Sequence, residues 1–255
     1  MRLANKTAVV TGAGRGIGGA IARGLATEGA DLVLISRTRE ELEAQKTAIL
    51  EANPERKCLL IECDVTDEAS VKEVRRKTIA EFGKVDILVN AAGISMVADS
   101  EKLATENWQK CIDINLTGTF LMCRELGEEM IKNKRGKIIN ITSVTAHAGI
   151  PMRAAYSASK GGVMQLTQTL AVEWAKYNIQ VNNISPGFII TEMVQKLIDQ
   201  GIHKPEKLSA RIPAGRMGYP EDLVGPAIFL SSSDSDYVTG TTLIVDGGWL
   251  ANGYL

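Results

Sequence analysis

The chain has 255 residues, 45% hydrophobic and 23% charged. That is the balance of a globular protein able to bury a core without staples, which excludes disorder and fibre. Twenty-nine basic residues against 30 acidic ones leave a net charge of -1, so no bulk field draws a polyanion or an anionic membrane, and nucleic acid is not an expected partner. No run approaches the ~18 apolar residues of a membrane span. The basic start, Met1 to Lys6, leads only into a strand-length apolar run, so the cytoplasm is the expected location. The cysteines, Cys58, Cys63, Cys111 and Cys123, lack CxxC spacing, and the chain holds only two histidines, His147 and His203. They read as reduced core thiols, and no metal site is expected.

In chain order, apolar runs rich in Val, Ile and Leu recur at Thr7 to Thr11, Leu32 to Ile35, Cys58 to Cys63, Ile87 to Asn90, Lys137 to Ile141, Gln180 to Ile184 and Leu243 to Val245. They lack two-residue alternation, as parallel strands covered on both faces do. Between them, Ile17, Ala20, Ile21, Gly24 and Leu25 repeat at helical spacing, as do Val71, Val74 and Thr78. The fold expected is α/β: a doubly wound, Rossmann-type, seven-stranded parallel sheet with helices on both faces and a ligand crevice beyond the carboxyl ends of the strands. No linker, composition shift or repeat divides the chain, so one domain over residues 1–255 is expected. On the third run Cys58 and Cys63 fall on opposite faces. The stretch 187–220 shows no clear strand and carries Gly201, Pro205 and Pro213, which suits a mobile flap over the crevice.

Directly after the first strand comes Thr11-Gly12-Ala13-Gly14-Arg15-Gly16-Ile17-Gly18-Gly19. A glycine-rich turn between strand and helix lets the backbone approach a pyrophosphate and presents the unpaired N–H groups of a helix N-terminus. GxGxxG fits Gly14, Gly16 and Gly19, but the distance from the strand fits TGxxxGxG better, at Thr11, Gly12, Gly16 and Gly18. About 20 positions on, where a carboxylate would bind the adenosine ribose, stand Ser36 and Arg37. Arg37 and Arg15 read as a two-pronged clamp for a 2′-phosphate, which favours NADP(H) over NAD(H).

Tyr156 and Lys160 fall one turn apart on one helix face. A lysine ammonium there stabilises the phenolate and brings the tyrosine toward proton exchange with an alcohol or carbonyl. Ser143, at the carboxyl end of the fifth run, is placed to hydrogen-bond the reacting oxygen, and Asn115 falls in a long apolar helix beside the same crevice. His147, four residues past Ser143, raises a serine-hydrolase reading, which fails for want of any GxSxG elbow. The run Lys132, Lys134, Arg135, Lys137 reads as a solvated turn.

Taken together, the glycine-rich turn, Asn90-Ala91-Ala92-Gly93, Asn115, Ser143, Tyr156, Lys160 and Pro186-Gly187 resemble, in order and spacing, the short-chain dehydrogenase/reductase family. The resemblance reaches the tail, through Gly215-Arg216-Met217-Gly218, Pro220-Glu221-Asp222 and Val245-Asp246-Gly247-Gly248. It implies hydride transfer between a nicotinamide and a secondary alcohol or ketone, with Tyr156 as general acid/base. Lys160 would lower the tyrosine's pKa and hold the nicotinamide ribose, Ser143 would orient the substrate oxygen, and Asn115 would support a water joining Lys160 to solvent. It further implies Gly12, Gly14, Arg15, Gly16, Ile17 and Gly18 at the phosphates, Ser36 and Arg37 at the adenosine ribose, and Asp64 and Val65 at the adenine. Asn90, Ala91 and Gly93 would flank the ribose and phosphate path, with Pro186, Gly187, Ile189 and Thr191 at the nicotinamide end. Many relatives are tetramers, and a homotetramer packed through the helices from Leu103 to Ile131 and Val163 to Trp174 is the expected assembly.

The substrate pocket is expected from Ser95, Met96, Thr145, His147, Met152, Arg153, Phe188 and the stretch from Met193 to His203, with Ser143 and Tyr156 at its base. Arg153 suits a carboxylate or hydroxyls, hence a sugar acid or polyol. The stretch Ile212 to Arg216, with Glu221 to Ala227 and Gly247-Gly248-Trp249, resembles the gluconate 5-dehydrogenase and deoxygluconate dehydrogenase branch. Ile94-Ser95-Met96-Val97, however, supplies no arginine for an acid substrate. 3-Oxoacyl-carrier-protein reductase is the alternative. The other class is a cofactor-binding regulator that lost the reaction, against which the intact Ser143, Tyr156, Lys160 and Asn115 speak.

Overall fold

A computed structural model describes residues 1–202 and 204–253; His203, expected at the end of the pocket wall, lies outside them. All seven apolar runs are strands: β1 (Thr7–Thr11), β2 (Asp31–Ser36), β3 (Cys58–Glu62), β4 (Ile87–Asn90), β5 (Gly136–Ile141), β6 (Ile179–Pro186) and β7 (Thr242–Val245). They form one parallel sheet in the order β3-β2-β1-β4-β5-β6-β7. The winding reverses between β1 and β4, which opens the crevice there, as the sequence predicts.

Nine helices connect the strands: α1 (Gly16–Thr27), α2 (Arg39–Ala52), α3 (Glu68–Phe82), α4 (Thr105–Ile112), α5 (Gly118–Asn133), α6 (Ala154–Trp174), α7 (Glu192–Asp199), α8 (Pro205–Arg211) and α9 (Val224–Ser231) among the described residues. On β1, Ala8 and Val10 point into the layer of α1, α2 and α9, while Val9 points into that of α3, α5 and α6. Both layers exclude water, so alternate residues gain alike from burial and the strand reads as an unbroken apolar run. Cys58 packs toward the first layer and Cys63 into the second; burial pushes both thiols up to about 11, which leaves them inert near neutral pH.

One feature of the sheet is polar. Asn90 Nδ2 donates to Asn140 Oδ1 (2.8 Å), Asn140 Nδ2 to Thr167 Oγ1 (2.8 Å), Thr167 Oγ1 to Asn183 Oδ1 (2.7 Å), and Asn183 Nδ2 to Thr242 Oγ1 (3.1 Å). This chain of side-chain bonds ties β4, β5, α6, β6 and β7 together, and a buried amide in it loses a partner if any one link is removed.

The stretch 187–220 holds no named strand and carries α7 and α8; both are short, and neither buries a residue fully. Its ends are zipped together, with Ile190 N donating to Gly218 O (2.8 Å) and Gly218 N to Phe188 O (2.9 Å). A small separate core of Val144, Ile212, Met217 and Trp249 lies beneath it.

Candidate active site

At the carboxyl ends of β1, β2, β4, β5 and β6 a cleft opens, and of the residues expected at a dinucleotide only Asn90 is missing from its lining. Asn90 belongs instead to the buried amide chain. The glycine turn decides between the two sequence readings: Gly12 (φ +63°) and Gly16 (φ +55°) take the left-handed conformation. A Cβ on Gly18 would lie 2.3 Å from Gly12 O. Gly14 and Gly19 have ordinary dihedrals, so TGxxxGxG describes the turn. Thr11 completes it, since its Oγ1 accepts from both Ala91 N and Ala92 N (3.1 Å each) and holds the loop after β4 against the turn. A Cβ on Gly93 would meet Asn115 Oδ1 at 3.2 Å and Lys160 Nζ at 3.5 Å. A narrow backbone cradle ending at a helix N-terminus fits a dinucleotide.

At the adenosine end the expected clamp is not simply two arginines. Arg15 Nη1 pairs with Glu41 Oε1 (3.2 Å), from the first turn of α2, and with Glu192 Oε2 (2.9 Å), the first residue of α7. Arg37 is exposed and faces Asp64. The Thr66 backbone N–H holds the Asp64 carboxyl below its ordinary range, with Arg37 adding to the effect. Ser36 Oγ accepts from Thr38 N (3.3 Å). Sequence reasoning missed Glu41 because it lies five residues past the position where a ribose-binding acid is sought. Its place on the first turn of α2 was the available signal.

The proton-transfer residues come together. Tyr156 and Lys160 share a face of α6, with Lys160 Nζ 5.8 Å from the Tyr156 ring centroid. The Ser143 side chain hydrogen-bonds the Tyr156 hydroxyl. Lys160 Nζ donates to Ile141 O (2.7 Å) at the end of β5. Asn115 is fully buried, its amide donating to Ile94 O (3.0 Å) and Ser159 Oγ (2.9 Å) while its Oδ1 accepts from Ile94 N (2.8 Å). It lies not in a plain α-helix but in a π-helical turn, Asp113–Thr117, between α4 and α5. Such turns recur at functional sites.

Burial pushes the Tyr156 phenol up, opposed by the Ser143 hydrogen bond and by the Arg153 guanidinium. Burial also lowers Lys160 to about 8.

The substrate residues divide. Arg153, 8% exposed, donates through Nη1 to Ser95 Oγ (2.9 Å), so those two meet beside Tyr156. Thr145 N donates to Ser143 Oγ (3.2 Å), and the Thr145 hydroxyl is buried without a protein partner. His147 directs Nε2 at Ser185 Oγ (2.9 Å), a buried hydroxyl that also meets Thr142 Oγ1 (2.6 Å) and Ser143 O (3.3 Å). Its ring edge therefore braces the strand ends behind Ser143, and the partner, on β6, was not visible from spacing. Phe188 packs edge-on against Trp249, centroids 5.8 Å apart, in the small core under 187–220. Met152 is exposed.

Comparison with known proteins agrees with this geometry. A family model described as enoyl-(acyl carrier protein) reductase matches residues 12–250. The 2-dehydro-3-deoxy-D-gluconate 5-dehydrogenase of Dickeya dadantii is 42% identical over 98% of this chain and 97% of its own. An NAD-dependent glycerol dehydrogenase of Listeria innocua is 39% identical over 97% and 94%. Among solved structures, a gluconate 5-dehydrogenase from Burkholderia cenocepacia in complex with NADP and tartrate superposes with a TM-score of 0.92 at 39% identity, covering 98% and 97% of the two chains. A single parallel seven-stranded domain, the Tyr156–Lys160 pair at the mouth of a glycine-lined cleft and these full-length matches make the chain a member of the short-chain dehydrogenase/reductase family, NAD(P)-dependent enzymes that act on CH–OH groups.

Proposed function

We propose that the enzyme interconverts a secondary alcohol and a ketone on a sugar acid or polyol, with NADP(H) preferred over NAD(H). The observation that carries the substrate class is Arg153, a buried guanidinium joined to Ser95 beside Tyr156. It supplies from the start of α6 the cation that Ile94 to Val97 lack, and a forked donor suits a carboxylate or paired hydroxyls. The sugar-acid and polyol relatives support the same class.

The bound nicotinamide supplies the hydride acceptor or donor. In the oxidative direction the Tyr156 phenolate takes the hydroxyl proton as the carbon–hydrogen bond gives up its hydride, and in reduction the Tyr156 hydroxyl returns that proton to the carbonyl oxygen. Ser143 holds the reacting oxygen toward Tyr156. Lys160 reaches the ribose side of the cleft, and the gap left by Gly93 between Asn115 Oδ1 and Lys160 Nζ accommodates a proton path away from the lysine. The segment 187–220 acts as the substrate flap. Trp108, Phe120 and Val172 are exposed on α4, α5 and α6, which suits a homotetramer. No helix among the described residues is long and apolar enough to cross a membrane, in keeping with a cytoplasmic enzyme.

A 3-oxoacyl-[acyl-carrier-protein] reductase is the second reading, favoured by the acyl-carrier description of the matching family model. Initial rates with gluconate, a polyol panel and a short 3-oxoacyl thioester, each with both coenzymes, separate the two. Oxidation of the acid or polyols with NADP supports the first reading. Thioester reduction with gluconate and polyols inert moves the enzyme to the second.

A further inference from the structure

We propose that Glu41 limits the preference for NADP(H) by competing with a 2′-phosphate for Arg15. This rests on the cleft binding a nicotinamide dinucleotide and deepens the coenzyme reading above.

Glu41 is built onto the phosphate turn rather than waving in solvent. The point where Gly14 would carry a Cβ lies 2.6 Å from Glu41 Oε2, 2.8 Å from Glu41 Cβ and 3.4 Å from Ser36 Oγ. The carboxylate therefore packs over the turn, next to the residue at the end of β2, and lines the cleft with Ser36 and Arg37. Only glycine at position 14 leaves it that room. From there Glu41 Oε1 reaches Arg15 Nη1.

Three carboxylates, Glu41, Asp64 and Glu192, stand around the two arginines of this end of the cleft. A phosphate dianion entering between Arg15 and Ser36 must take Arg15 from Glu41 and then lie beside that carboxylate. Like charges at this range disfavour each other. A ribose that keeps its 2′-hydroxyl meets the opposite situation, because Glu41 can accept a hydrogen bond from it. Glu41 thus supplies, from the first turn of α2, the acid that the end of β2 lacks. One carboxylate opposes NADP(H) and assists NAD(H), while Arg37 pulls the other way.

The test is direct binding. NADPH and NADH dissociation constants are measured by fluorescence titration for the wild type, for Glu41→Gln, and for Glu43→Gln, an exposed acid on the outer side of α2 paired with Arg39. Glu41→Gln keeps the shape of the side chain and removes the charge. The expected result is NADPH bound up to about fivefold tighter and NADH unchanged or up to about threefold weaker, the size of one close charge pair at a partly exposed site. Glu43→Gln should leave both constants within twofold. Equal shifts for the two coenzymes, or no tightening of NADPH, overturn the proposal. The outcome is separable from the coenzyme preference itself: wild-type NADPH binding no tighter than NADH refutes that preference, while the change in ratio on removing Glu41 still decides this one.

Discussion

Replacing Arg153 by Met separates two roles that the structure gives one side chain. Methionine keeps most of the apolar stem and removes the guanidinium and its bond to Ser95. The first role is electrostatic. The Arg153 cation opposes the burial that pushes Tyr156 up, because a nearby opposite charge favours the ionised form of an acid. Without it, the pH limb for oxidation should move upward, lowering kcat/KM at any pH below the limb, for every substrate alike. The second role is recognition. A charge-assisted hydrogen bond contributes about 1.5–3 kcal/mol, so an acid substrate should lose a further ~10- to 150-fold that a polyol of equal length does not. The assay is kcat/KM against pH for gluconate and a six-carbon polyol with both enzymes. Above the limb the first loss disappears and the second remains. Equal losses for acid and polyol there refute the carboxylate contact; a limb that stays in place refutes the coupling to Tyr156.

Tyr156→Phe should lower turnover by about 10²- to 10⁴-fold while NADPH binding, followed by fluorescence, stays within threefold; a variant that keeps its rate removes Tyr156 from proton transfer. Gly18→Ala places a methyl 2.3 Å from Gly12 O, a backbone atom that cannot step aside. Overpacking of that kind costs about 1–3 kcal/mol, so the melting temperature should fall and coenzyme affinity should drop at least tenfold, whereas Gly19→Ala, which meets the movable end of Gln45 at 2.9 Å and the backbone Ala13 O at 3.2 Å, should cost less. An unchanged Gly18→Ala protein would mean that the turn is not the phosphate cradle.

How much of this was legible in the sequence depended on whether a feature is local. Each strand could be read because a parallel strand buried on both faces is a continuous apolar run, and the Tyr156–Lys160 pair because four residues is one helical turn. Features made by distant segments were not legible. His147 finds Ser185 only because β6 lies beside β5, a contact that spacing along the chain does not show. Asn115 entered a π-helical turn that leaves no mark on apolar periodicity. Glu41 reached the cleft because α2 starts immediately beyond the end of β2 and turns its first residues back over Gly14.

The Tyr156–Lys160 pair shows the same distinction. Spacing shows that Lys160 is near Tyr156, but it cannot show that both are desolvated by the cleft they line. Burial favours the neutral form of each: Tyr156 is pushed up and Lys160 down to about 8. Arg153 keeps its charge even with its own pKa lowered by burial, so it opposes the rise in Tyr156 in the alkaline range where oxidation of an alcohol is favoured. The residue that suits an acid substrate and the residue that tunes the base are then one, and an acid bound against Arg153 partly neutralises the charge that lowers the tyrosine. In kcat, which reports the enzyme with substrate bound, acid substrates should accordingly show their oxidation limb at higher pH than polyols on the same enzyme.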